Sequence, residues 1–182
     1  MAATRPDLVG AVVLLDVGHR LEVEGVQRIT AFLSEHESFA DLEEAAAAIA
    51  VYLPGRTVTQ GRLTRNLRQR ADGRWVWKHG LGRHIRARDD ADVEQGAAAV
   101  VAGLDDDLRA LHRPALVLRG SASDVLSEAG ADELVDLLPD ARYARISGAG
   151  HLAAGDNPES FVTLVARFLD EIRWADVGLN PL

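Results

Sequence analysis

The feature that most constrains this 182-residue chain is an apolar run near its start, Val9 to Asp16 (VGAVVLLD), with no polar side chain before its closing acid. A half-exposed strand would alternate apolar and polar residues. A continuous run rich in valine and leucine is the habit of a strand buried on both faces of a parallel sheet. Two later runs share this character: Ala115 to Arg119, introduced by Pro114 and stopped by Gly120, and Tyr143 to Ile146, stopped by Gly148-Ala149-Gly150. Between them Ala131, Leu134, Val135 and Leu138 make the i, i+3, i+4, i+7 stripe of a helix, with Ser127 placed to cap its start and Pro139 after its end. A last helix is expected behind Asn157 as cap and Pro158 in the first turn, with the stripe Phe161, Leu164, Val165, Phe168 and Ile172. Strand–helix–strand–helix implies an α/β fold with a mostly parallel sheet and right-handed crossovers.

The link from the first strand to the second is about ninety-five residues long, far more than a simple crossover needs. It is expected to be mostly helical. Val26, Ile29, Thr30 and Leu33 form one stripe, Leu42, Ala45, Ala46, Ile49 and Leu53 another, and Leu63 with Leu67 a third, shorter one. Asp72-Gly73 marks a turn before Trp75-Val76-Trp77, and Asp92 opens an alanine-rich helix toward Gly103. Three segments follow: a core strand in 1–20, a helical cap or lid in 21–112, and a C-terminal core in 113–182. Three doubly buried strands also leave sheet edges open, so more chain or a partner is expected beside the first strand, with self-association as one outcome.

Hydrophobic residues make up 47% of the chain and charged residues 26%, enough for a core and too balanced for wholesale disorder. The net charge of −8 disfavours a protein that coats nucleic acid or anionic membrane over its whole surface. The absence of cysteine removes disulfides and thiolate metal sites and fits a reducing compartment. The chain opens without a basic leader, and no apolar stretch reaches the ~18 residues of a membrane span. A cytoplasmic protein is the expectation.

In open parallel sheets, ligands bind beyond the carboxyl ends of the strands. Three chemically capable residues fall there: Asp16, Asp124 and His151. An aspartate and a histidine on neighbouring strand ends can pair, the carboxylate fixing the imidazole tautomer and stabilising the imidazolium formed on proton uptake. Gly148 and Gly150 allow the sharp turn that would aim the ring. Each residue also has a plain structural reading: Asp124 as turn former or helix cap, His151 as surface or core residue, and Asp16 as a packing or capping group beneath the site. The other histidines, His19, His36, His79, His84 and His112, show no metal-ligand spacing.

These residues carry a resemblance. Leu116-Val117-Leu118-Arg119-Gly120 with Ser123-Asp124-Val125-Leu126-Ser127 resembles the acid-bearing turn of α/β-hydrolases. Ile146-Ser147-Gly148-Ala149-Gly150-His151, followed by Asp156-Asn157-Pro158-Glu159 and Phe161, is similar to that family's histidine loop and closing helix. Val13-Leu14-Leu15-Asp16-Val17 resembles the strand after the nucleophile region. Arg65 to Arg68 and Gly73 to Trp77 are similar to the cap of a bacterial subgroup often labelled hydrolase or non-haem peroxidase. The likeness runs from about Arg5 to Ile172. It implies a partial α/β-hydrolase fold: the last three strands of an eight-stranded sheet, plus a helical cap. It further implies catalytic roles for Asp124 (orienting acid) and His151 (general base, then acid), with Trp75 and Trp77 shaping an apolar pocket for a small ester or related acyl substrate. No metal or organic cofactor is implied.

The chain departs from the family at one point. It contains no G-x-S-x-G nucleophile elbow and no His-Gly oxyanion loop ahead of the first strand. Ser121, Ser123 and Ser127 lie at the acid turn and are expected to serve the turn and the helix cap. Turnover therefore needs a nucleophile, serine or aspartate, from elsewhere. The expected explanations, in order, are a start codon placed too late, a gene remnant, or a second chain that completes the sheet. A rival class rests on residues 56–88, which hold ten of the twenty Lys and Arg with one acid, Asp72, and two tryptophans. Such a segment could bind an anionic ligand or single-stranded nucleic acid, though no recognised binding module accompanies it.

Overall fold

A computed structural model of the chain describes residues 2–3, 5–54, 58–78 and 104–172. They divide into two compact units, residues 1–25 with 94–182 and residues 26–93.

The first unit is built on three parallel strands, β1 (Val12–Leu15), β5 (Ala115–Gly120) and β6 (Ala141–Ile146), in the order β1-β5-β6. Val12 pairs with Ala115 and Leu15 with Leu118. On the other side Ala115 pairs with Ala141 and Gly120 with Ile146. The apolar run of β5 is what a central strand requires, and every residue in it is buried. Its alternate side chains feed two cores. Leu116 and Leu118 join Ile146, Ala149, Phe168 and Ile172 beneath α6 (Pro158–Glu171). Ala115 and Val117 join Leu111, Leu134 and Leu138 beneath α4 (Glu128–Leu137). β1 has the same apolar composition, yet Val13 is 37% exposed. Among the described residues β1 is an outer strand, with a partner only on its β5 side.

Both expected caps form. Ser127 Oγ accepts from Gly130 N–H at 3.1 Å, and Asn157 Oδ1 accepts from Ser160 N–H at 3.1 Å with Pro158 in the first turn. Each satisfies a donor that has no partner inside its helix. A short helix, α5 (Ala153–Asp156), sits between the histidine loop and α6.

The second unit holds most of α1 (Val23–Glu35), then β2 (Ser38–Phe39), α2 (Leu42–Tyr52), α3 (Gln60–Asn66), β3 (Leu67–Gln69) and β4 (Trp75–Trp77). It is less helical than the sequence suggests, because β2, β4 and β3 form an antiparallel sheet in that order. These strands have two or three residues each, too short for a period of two to show in sequence. Phe39, Ala45, Leu63 and Leu67 make this unit's core. The units divide after residues 25 and 93, whereas the expected boundaries fall after 20 and 112. Leu108 and Leu111 pack into the α4-side core of the first unit. The helix expected from Asp92 to Gly103 lies outside the described residues.

Candidate active site

The carboxyl ends of β1, β5 and β6 converge on one buried carboxylate. Asp16 follows directly on β1 and is fully buried. Its φ of 50° is positive, which no other non-glycine residue shows among those described. Aspartate tolerates this left-handed conformation better than most residues, but it still costs energy and needs support. The support is visible: Asp16 N–H donates to Leu118 O at 2.7 Å, continuing the β1–β5 ladder. The conformation turns the side chain inward instead of letting it follow the strand.

Three donors address that carboxylate. Gly120 N–H reaches Oδ1 at 2.8 Å, Ser123 Oγ reaches Oδ2 at 2.6 Å, and His151 Nδ1 lies 2.9 Å from the same Oδ2. The hydroxyl's direction follows by elimination. Ser123 Oγ already accepts from Val125 N–H at 3.2 Å and Leu126 N–H at 3.3 Å, so its one proton is left for Asp16. With Oδ2 acting as acceptor, His151 Nδ1 carries the hydrogen. The Nε2 lone pair is then free to take a proton, as a general base requires. The His151 side chain is 31% exposed while its carboxylate partner is sealed off.

Strand ends and loop are held in mutual register by backbone contacts. Ser121 N–H donates to Ile146 O at 3.0 Å and Ala122 N–H to Ala149 O at 2.8 Å. Gly148 N–H donates to Ser121 Oγ at 2.9 Å, and Gly150 N–H to Asp156 Oδ2 at 3.0 Å. Gly148, at φ +66°, makes the left-handed turn that the loop needs. Gly120 is required for a different reason: a Cβ there would lie 2.2 Å from Gly150 O. The acid turn itself is tied from inside by Arg119. Its guanidinium donates to Leu126 O at 2.6 Å, Ser123 O at 3.1 Å and Ser121 O at 3.4 Å, and meets Glu128 at 2.8 Å. All three nitrogens of the planar fork are engaged.

The expected histidine is therefore at the strand ends, but the carboxylate at its Nδ1 is Asp16, not the expected Asp124. The physical reason is adjacency. β1 lies beside β5, and the turned-in Asp16 reaches across to the histidine loop. Asp124 is half-buried on the acid turn, and its carbonyl packs beneath Gly25 of α1, where a Cβ would lie 2.1 Å from that oxygen. Asp16 also braces Gly120 and Ser123 through its two carboxylate oxygens. Ser123 and Arg119 were not singled out for the site. The signal available for Asp16 was an acid closing a doubly apolar strand.

Trp75 and Trp77 pack against the second unit's own core. Trp77 Nε1–H donates to His36 O at 2.8 Å, and its ring meets Phe39 edge-on at 5.7 Å. Several basic residues of the same segment are tied within that unit. Arg74 donates to Ser38 Oγ and O, Lys78 to Thr64 O, and Arg70 faces Asp72 at 3.2 Å. Among the described residues no cluster of three or more His, Asp or Glu is arranged to hold a metal, and no helix is long and apolar enough to cross a membrane.

No family model matches the chain. It is 29% identical over 180 residues to esterase Rv0045c of Mycobacterium tuberculosis, spanning 93% of this chain and 56% of that protein. A crystal structure of that esterase superposes with a TM-score of 0.66 at 27% identity, over 93% of this chain and 55% of the other. The chain is also 27% identical over 169 residues to 2-(acetamidomethylene)succinate hydrolase of Mesorhizobium japonicum, spanning 93% and 58%. An α/β hydrolase from Novosphingobium aromaticivorans superposes with a TM-score of 0.67 at 27% identity, over 94% and 60%. The chain thus spans just over half the length of these relatives.

Proposed function

The chain belongs to the α/β-hydrolase superfamily, and we propose that it supplies the histidine and the orienting acid of a hydrolase acting on a small ester or related acyl substrate. His151 is the general base and then the general acid. Asp16 is the orienting carboxylate, taking the role that sequence resemblance had assigned to Asp124. In this reading the nucleophile is a serine supplied from outside these 182 residues, which contain no G-x-S-x-G. The observation that carries this reading is the 2.9 Å contact between His151 Nδ1 and the buried Asp16 carboxylate, which Gly120 N–H and Ser123 Oγ also address.

In this mechanism Nε2 of His151 takes the serine proton as the oxygen attacks the acyl carbon. The imidazolium so formed sits against Asp16, and its charge is offset without proton transfer to the carboxylate. Nε2 then returns the proton to the departing alcohol. Water repeats the sequence and frees the acid product. The full burial of the carboxylate matters here because a charge interaction shielded from solvent is stronger than the same pair in water.

The test is hydrolysis of short-chain p-nitrophenyl esters by the protein purified from its native host, against His151→Ala, Asp16→Asn and Asp124→Asn in the same gene. Loss of the base, or loss of its tautomer control, is expected to lower kcat by about 10³- to 10⁴-fold. Asp124→Asn is expected to change it less than about tenfold. If Asp124→Asn abolishes turnover while Asp16→Asn retains it, the acid assignment is wrong. If the parent protein hydrolyses no acyl substrate, the hydrolase reading goes.

A further inference from the structure

The geometry points to Ser123 as a positioning residue for the His151–Asp16 pair: its hydroxyl proton is committed to the same carboxylate oxygen that His151 uses, and so sets how strongly Asp16 holds the imidazole. This inference rests on the proposed roles of Asp16 and His151 and adds a third member to them. The commitment has two sides. Both oxygen lone pairs of Ser123 are engaged by Val125 N–H and Leu126 N–H, and its carbonyl is held by Arg119 Nη2 at 3.1 Å. The hydroxyl therefore has one direction in which to donate, and Asp16 Oδ2 lies there at 2.6 Å. Ser123 is itself buried, so water does not compete for that proton.

Two donors on one carboxylate oxygen share its charge. With Ser123 in place, Asp16 Oδ2 is a weaker acceptor toward His151 than it would be alone. It is also a better-placed one, because the hydroxyl prevents the carboxylate from rotating about its last bond. Other charged groups on elements around the loop include Asp124 on the acid turn, Asp156 of α5, whose Oδ2 accepts from Gly150 N–H, Arg119 at the end of β5 with its partner Glu128 of α4, Arg145 of β6, and Glu159 in the first turn of α6. Substituting the Ser123 hydroxyl removes none of these charges. A role limited to building the turn would leave the imidazole's titration untouched. A role in setting Asp16 moves it.

The experiment follows the ring ¹⁵N and Nδ1 proton signals of His151 through a pH titration of the intact chain. Ser123→Ala removes the donor, and Ser123→Cys keeps the side chain's shape with only a weak donor. Both are expected to move the midpoint of the His151 titration upward by roughly half a unit to one unit, with the Nδ1 proton shifting downfield, because Oδ2 is left to His151 alone. Asp16→Asn is expected to move the midpoint the opposite way and to favour the Nε2–H tautomer. Ser123→Thr restores the hydroxyl and the parent midpoint. If Asp16→Asn shifts His151 while Ser123→Ala and Ser123→Cys both leave it at the parent value, Ser123 only builds the turn and the inference is overturned. If Asp16→Asn also leaves it unmoved, the failure lies in the underlying Asp16–His151 assignment.

Discussion

Two glycines a short distance apart at the site are predicted to respond very differently to the same substitution. At Gly120 an added Cβ would sit 2.2 Å from Gly150 O and 2.7 Å from Ala149 O. These are backbone atoms, so no side chain can swing aside. The histidine loop would have to retreat by about 1 Å or more to reach ordinary contact distance. It is pinned where it stands by the 2.8 Å bond from Ala122 N–H to Ala149 O, which that retreat would break. Overpacking costs about 1–3 kcal/mol and a lost hydrogen bond about 1 kcal/mol, so Gly120→Ala is expected to cost about 3 kcal/mol. At about 2–4 °C per kcal/mol for a chain of this size, Tm falls by roughly 6–12 °C. At Gly148 a Cβ meets nothing within 4 Å, and only its φ of +66° opposes a side chain. Gly148→Ala is expected to cost about 1 kcal/mol. Urea unfolding followed by circular dichroism measures both. Equal losses, or a Gly120→Ala midpoint at the parent value, would refute the claim that close approach of β5 to the loop builds this site.

Other consequences can be measured on the same footing. Arg119→Lys should cost about 2–3 kcal/mol in urea unfolding, because one ammonium cannot serve three carbonyls and Glu128 together. Phe39, fully buried in the second unit, should cost about 3–5 kcal/mol when cut to alanine, reported by tryptophan fluorescence through Trp75 and Trp77 packed on that core. Burial, and then its hydrogen bond to Glu128, raise the Tyr143 pKa above the usual tyrosine value. The folded state therefore holds this proton more tightly than the unfolded one, and the stabilisation is complete below about pH 10 and lost as pH rises through the folded value. Tyr143→Phe should accordingly flatten the fall in denaturant midpoint above about pH 10, and an unchanged slope would contradict it.

Much of this architecture is legible in the residue order, because the interactions that specify it are local. The doubly apolar run at 115–119 announces a central strand, and β5 is buried throughout. The Ser127 and Asn157 caps, and the stripe from Phe161 to Ile172, depend on neighbours within a turn or two of chain, where spacing is fixed by the helix itself. His151 could be placed at a strand end for the same reason.

What spacing along the chain could not supply was the identity of the acid beside it. Asp16 and His151 are 135 positions apart, and nothing local says that β1 will lie against β5 or that Asp16 will adopt a positive φ. Asp124, closer in sequence and set in a familiar turn, was the natural expectation. The choice falls to strand order, which is settled by side chains from the whole sheet packing at once. Only when β1 and β5 are in register does a carboxylate after one strand find a hydroxyl, an amide and an imidazole beyond the others.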